Sequence, residues 1–173
     1  MEIDFNNLTE HTTSIGNFSL NWRFTDKNYC ILPDEDLAQL RPLSTKAANF
    51  LWDYIKNANL HDDEPFTKGL FDYIDEIDIS DDNKAAVREW LYQRGFLSDK
   101  KVYLSWLPTV GMIVPWEILI KYFNEFYYSS SDDLTVIDQS LNWALLFHHE
   151  DKIYFGASEN YVLNSTFEDI DLI

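Results

Sequence analysis

The run His148-His149-Glu150-Asp151 holds the densest set of side chains able to bind a metal or move protons. Two imidazoles and two carboxylates could form half of a metal centre or a general acid–base pair. Strand geometry argues against it, because adjacent side chains on a strand point to opposite faces and two neighbouring imidazoles do not readily reach one ion. Zinc sites favour a helical histidine spacing, and His11 and His61 lie in segments without that pattern. The run therefore reads as a strand end entering a solvated turn, with no metal and no cofactor expected. Nucleophilic catalysis has no better signature. Gly-x-Ser-x-Gly is absent, and Cys30 sits in Asn28-Tyr29-Cys30-Ile31-Leu32 with no histidine near it in sequence. The glycines stand singly and build no phosphate cradle. Carboxylates abound, but glycoside hydrolysis needs two of them held across a cleft, which spacing does not reveal. No catalytic residue is assigned.

What the chain has in excess is negative charge: 30 Asp and Glu against 13 Lys and Arg, net −17 over 173 residues. A disordered acidic tail could carry such a charge, but at 46% hydrophobic and 16% aromatic the chain has the apolar surface to build a core. Two segments supply most of the imbalance. Residues 61–82 carry nine acids and one base, and residues 129–173 carry nine acids and one base. Residues 83–128 are close to neutral, with four acids and six bases, and read as interior. Direct nucleic-acid binding is not expected, since phosphates require clustered Lys and Arg. A cationic protein partner is expected instead, because net charge steers encounters and repels like charge. The expected contact residues are Asp72, Asp75, Glu76, Asp78, Asp81 and Asp82 in the first segment, and Asp132, Asp133, Glu150 and Asp151 in the second. Phe71 and Tyr73 could add contact area there. The plain alternative for such charge is a solvated face.

The elements that must position these residues read as an α+β fold: a mainly antiparallel sheet with about five helices packed on one side. Phe18 to Phe24 alternates apolar and polar and predicts a strand. Pro33 to Leu40 predicts a short helix with Asp34, Glu35 and Asp36 in its first turn. Ser44 caps a helix to about Asn57, with Ala47, Leu51, Tyr54 and Ile55 on one face. Pro65 opens a helix with Phe66, Leu70, Tyr73, Ile74 and Ile77 on one stripe, and Ser80 caps another that Gly95 stops. Val102 to Trp106 reads as a strand and Pro115 starts a helix toward Tyr127. Strands follow at 134–137, 143–148 and 152–155, with Glu150-Asp151 at the tip of the last hairpin. The length suits a single domain over 1–173, helix-rich at 33–95, strand-rich at 100–156, with a tail at 157–173 that docks or stays loose. A chain of this size needs no disulfide, and Cys30 reads as a packed, inert thiol of a reducing compartment. The N-terminal residues Met1 to Phe5 show no basic region and no apolar run, so no secretory signal is expected. No apolar stretch approaches the ~18 residues of a membrane span. A soluble cytoplasmic protein is expected, as monomer or homodimer.

The segments Pro115-Trp116-Glu117, Phe126-Tyr127-Tyr128-Ser129-Ser130-Ser131-Asp132-Asp133 and Asn142-Trp143-Ala144-Leu145-Leu146-Phe147-His148-His149-Glu150 resemble a type of small acidic bacterial domain. Some of these domains look like immunity proteins of contact-dependent or other polymorphic toxin systems. The resemblance spans residues 102–156. It implies a non-catalytic inhibitor that binds one cationic toxin, such as a nuclease domain, with carboxylates occupying or covering phosphate sites. It supplies no catalytic residues and no particular toxin. Two alternatives stand beside it: a housekeeping adaptor whose acidic face meets a basic protein, and a small hydrolase using His148, His149 and nearby carboxylates.

Overall fold

The computed structural model describes residues 2–164. In chain order the helices are α1 (Trp22–Thr25), α2 (Asp34–Leu37), α3 (Thr45–Asn57), α4 (Lys84–Tyr92), α5 (Trp116–Lys121), α6 (Phe123–Phe126) and α7 (Glu159–Asn164). The strands are β1 (Cys30–Ile31), β2 (Arg41–Pro42), β3 (Tyr73–Asp78), β4 (Lys101–Leu107), β5 (Val110–Pro115), β6 (Leu134–Ile137), β7 (Trp143–His148) and β8 (Lys152–Ala157). Seven of them form one sheet in the order β2-β5-β4-β6-β7-β8-β3, and every neighbouring pair is antiparallel. The α+β class and the antiparallel sheet are as the sequence predicts. No helix among the described residues is long and apolar enough to cross a membrane.

The sheet is covered on both faces. One face carries Val102, Leu104, Val136, Leu145, Phe147 and Phe155 in a core with Val87 and Leu91 of α4 and Trp116 and Leu119 of α5. The other carries Ile113, Ile137, Ala144 and Leu146 under Ala47, Ala48, Leu51 and Ile55 of α3. Helices therefore pack on both faces, α4 and α5 on one and α3 on the other, and not on one side alone as the sequence predicts. The start of α3 is set by Ser44, whose side chain accepts from the Ala47 amide at 3.3 Å.

Three local expectations give way to tertiary demands. Phe18–Phe24 is not a strand. It turns into α1, which buries the adjacent Arg23 and Phe24 together, something a strand with one buried face cannot do. The predicted helix from Pro65 is replaced by a turn through Gly69 (φ 78°) and by β3 on the sheet edge. As a strand, Tyr73–Asp78 divides its acids between two faces instead of crowding them along one helix. β5, for which the sequence carries no prediction, has Val110 to Val114 buried throughout, because the strand is covered on both faces. The helix after Pro115 divides at Tyr122 into α5 and α6. The fourth predicted helix runs from Lys84 to Tyr92 as α4, and Gly95 stops it at φ 80°. Of the predicted tail, residues 165–173 lie outside the described residues.

Candidate functional site

On the face that α3 covers, the helix stops before the sheet does. Beyond Asn57 the chain turns through Asn59, at φ 52°, and runs across the sheet as the segment 60–66. Between that segment, the end of α3 and strands β4, β6 and β7 lies a cavity of about 530 Å³. Strand register chooses its floor. Ser105 of β4 pairs with Thr135 of β6, and Thr135 pairs with Leu146 of β7, so their side chains share this face, as does that of His148. Trp52, Ile55, Leu60 and Trp106 contribute apolar wall, and Glu64, Asp133 and Lys56 contribute charge.

The polar floor is incompletely satisfied. Ser105 Oγ and His148 Nε2 are buried without a hydrogen-bond partner. By contrast His61, exposed at one edge, turns both ring nitrogens inward. Nδ1 stands 2.8 Å from the Pro65 carbonyl and Nε2 2.8 Å from Thr135 Oγ1. A carbonyl can only accept, so Nδ1 carries the proton, and Nε2 of the neutral ring accepts from the threonine hydroxyl. Loss of water around those nitrogens lowers the His61 pKa, against the opposing pull of the Pro65 carbonyl and nearby carboxylates. The ring also stacks on Phe66, with centroids 5.6 Å apart.

At the cavity wall the expectation that His148 and His149 diverge is corrected. β7 ends at His148 and His149 already belongs to the turn, so strand alternation stops between them. Their ring centroids lie 4.1 Å apart. His149 Nδ1 stands 2.9 Å from Asp133 Oδ1, which also accepts the His149 amide at 3.0 Å. That contact raises the His149 pKa. Burial alone would raise the Asp133 carboxyl, but the paired hydrogen bonds from His149 outweigh it and hold it below the ordinary aspartate range.

The acidic residues read from the sequence take several positions. Asp75 accepts from Trp90 Nε1 at 2.9 Å and faces Arg94 at 3.4 Å. Glu76 and Asp78 flank Lys152 at 2.9 and 3.5 Å. Asp72 accepts the Glu159 amide, and Asp81 lies 3.7 Å from Lys84. Asp82 is exposed and Glu150 is exposed beside His148. Asp132 is held by Arg23, while Asp151 accepts from Tyr127 and Ser129. The two acidic segments, distant in sequence, meet at the β7–β8 hairpin, where the Ile79 amide donates to the Asp151 carbonyl at 2.7 Å. Charge along β3 also has a structural use, since it discourages further strand pairing at an open sheet edge.

A family model described as a protein of unknown function (DUF2947) matches residues 12–156. The chain belongs to DUF2947. No curated protein and no solved structure matches it. The DUF2947 span contains the whole cavity lining, from Leu20 to His148. Sequence reasoning missed Ser105, Thr135, His61 and Glu64 as cavity residues. Nothing local marks them, because strand register and the return of segment 60–66 over the sheet bring them together.

Proposed function

We propose that this DUF2947 protein binds a small, partly apolar molecule carrying hydrogen-bonding groups in the cavity beside α3. One observation carries the reading: Ser105 and His148 line the cavity, and Ser105 Oγ and His148 Nε2 are buried without a hydrogen-bond partner. A buried polar atom left unsatisfied costs ~1–3 kcal/mol, so a cleft lined by two such residues favours an occupant that supplies partners. The volume of about 530 Å³ falls in the range of small-molecule pockets. The indole-rich wall suits an apolar body, and Glu64 and Asp133 favour a positively charged group at the mouth. The test is a thermal-shift screen of amine- and guanidine-bearing metabolites against the full chain and against Ser105→Leu, which fills the floor. A ligand present at about 100 times its Kd stabilises by ~2.7 kcal/mol. It should raise the melting temperature of the natural protein and leave that of Ser105→Leu unchanged; an equal rise in both would place it elsewhere.

A second reading is an immunity-type inhibitor of a cationic toxin, non-catalytic, or an adaptor using the same surface. The convergence of the two acidic segments at the β7–β8 hairpin supports it, because it brings carboxylates from both segments to one end of the sheet. Its test is the association rate with a basic toxin domain encoded beside the gene. Asp82→Lys together with Glu150→Lys should slow association at low salt, and an unaltered rate would remove this patch from the interface.

A further inference from the structure

We propose that His148, His149 and Asp133 form a binding site for a divalent transition-metal ion, zinc by their chemistry, at the wall of the cavity. This deepens the reading above, since the ion would stand where a cavity ligand could reach it. The three residues each offer a donor atom, and these atoms lie within 4.8 Å of one another. Tetrahedral zinc, with bonds of ~2.0–2.1 Å to nitrogen, separates its donors by about 3.3 Å, so modest side-chain rotations close the set. Two imidazoles with one carboxylate are the donors of a borderline metal and do not suit magnesium or calcium.

An independent observation points to a ligand here. His148 is 6% exposed, and its Nε2 has no partner while it lines the cavity. Around it the charge is negative: Glu64 Oε2 stands 3.7 Å from that nitrogen. In the metal-free ring Nδ1 accepts the Glu150 amide at 3.4 Å, so the proton sits on Nε2. Binding the ion at Nε2 moves that proton to Nδ1 and gives up the amide contact, with Glu150 Oε2, 3.9 Å away, as the charge nearest the new N–H. At His149 the ion takes the place of the proton shared with Asp133, which leaves to solvent. Three protein donors leave one position for water or for a molecule in the cavity.

The experiment is calorimetric titration of the full, tag-free chain with zinc in excess magnesium, together with the visible spectrum of the cobalt-loaded protein. His149→Ala and Asp133→Ala are the variants, since both side chains are about half exposed (45% and 54%) and their loss leaves the core intact. Expected are one ion per chain, the strong visible bands of tetrahedral cobalt, and at least about tenfold weaker zinc binding in each variant. Retained affinity in both variants, no saturable binding, or a weak octahedral cobalt spectrum would each overturn the site. The titration contains no organic ligand, so its failure would leave the small-molecule reading standing, and a failed thermal-shift screen would leave the metal site standing.

Discussion

Arg23 and Asp132 are joined by a two-pronged ion pair, Nη1 to Oδ2 at 2.6 Å and Nη2 to Oδ1 at 3.1 Å. The pair ties α1 to the turn after α6, across 109 positions of sequence. The guanidinium also lies 4.4 Å from the centre of the Tyr128 ring and donates to the Phe126 carbonyl. Asp132, one of the acids expected to face a partner, is thus committed to holding the fold. Asp132→Ala should destabilise by about 3–5 kcal/mol, because it leaves Arg23 buried and uncompensated. Chemical denaturation measures it, and a loss under ~1 kcal/mol would mean that the turn repacks to satisfy the arginine.

A second prediction concerns the place where backbone and ring meet most closely. A Cβ on Gly156 would stand 2.2 Å from Phe71 Cδ2 and 2.9 Å from its Cγ, inside the ring's own contact distance. Gly156→Ala must therefore push Phe71 out of its place under segment 60–66, at a cost of ~1–3 kcal/mol. In the double variant with Phe71→Ala the added methyl has room. The loss should then fall short of the two single losses together, and strict additivity would show that the ring is not what opposes the methyl.

Asp138 links stability to pH. Burial raises its carboxyl, but hydrogen bonds from Ser140, Lys100 and Trp143 outweigh that and hold its pKa below the ordinary aspartate value. A carboxylate depressed in the folded state adds stability above its unfolded pKa of about 4 and loses it as pH falls through the folded value. Asp138→Asn should cost about 2 kcal/mol at pH 7, from charged hydrogen bonds to Lys100 at 3.0 Å and Trp143 at 2.8 Å. Urea titrations should show the gap narrowing below about pH 4. A gap independent of pH would mean that shape, not charge, sets the cost.

The acids along β3 and beyond it should separate under substitution. Asp75→Ala removes the acceptor for Trp90 and the counter-charge of Arg94, which is 8% exposed, and should lower stability by ~1–3 kcal/mol. Asp82→Ala, at an exposed turn, should stay within about 0.5 kcal/mol. Equal melting temperatures for the two would show that Asp75 is as dispensable as a solvated charge.

Much of the sheet was legible in the residues because it is written in short-range pattern. Alternation located β4, closely spaced apolar runs located β6, β7 and β8, and Ser44 with an apolar stripe located α3. The same rules failed in two places. β5, buried throughout like β6 and β7, drew no strand prediction: Gly111 interrupts its apolar run, and Pro115 at its end reads as the start of a helix. Segment 73–78 carries a helical stripe, yet the open edge of β8 offered it a ladder of hydrogen bonds over the full register from Tyr73 to Asp78. Local preference, a few tenths of a kcal/mol per residue, yields to such pairing.

For function the division follows the same physics. Composition determined that the chain could build a core and that its surface would be strongly acidic, because both are sums over residues and need no geometry. Which acids remain on that surface is a matter of partners brought from far away: Arg23 for Asp132, Trp90 for Asp75, Lys152 for Glu76. The cavity belongs wholly to the folded state. Ser105, Thr135 and His148 meet because side chains two residues apart along a strand, and opposite across neighbouring strands, emerge on one face. His61 and Glu64 join them when segment 60–66 crosses that face. A sequence records the donors, and the register of the sheet decides which of them share a space.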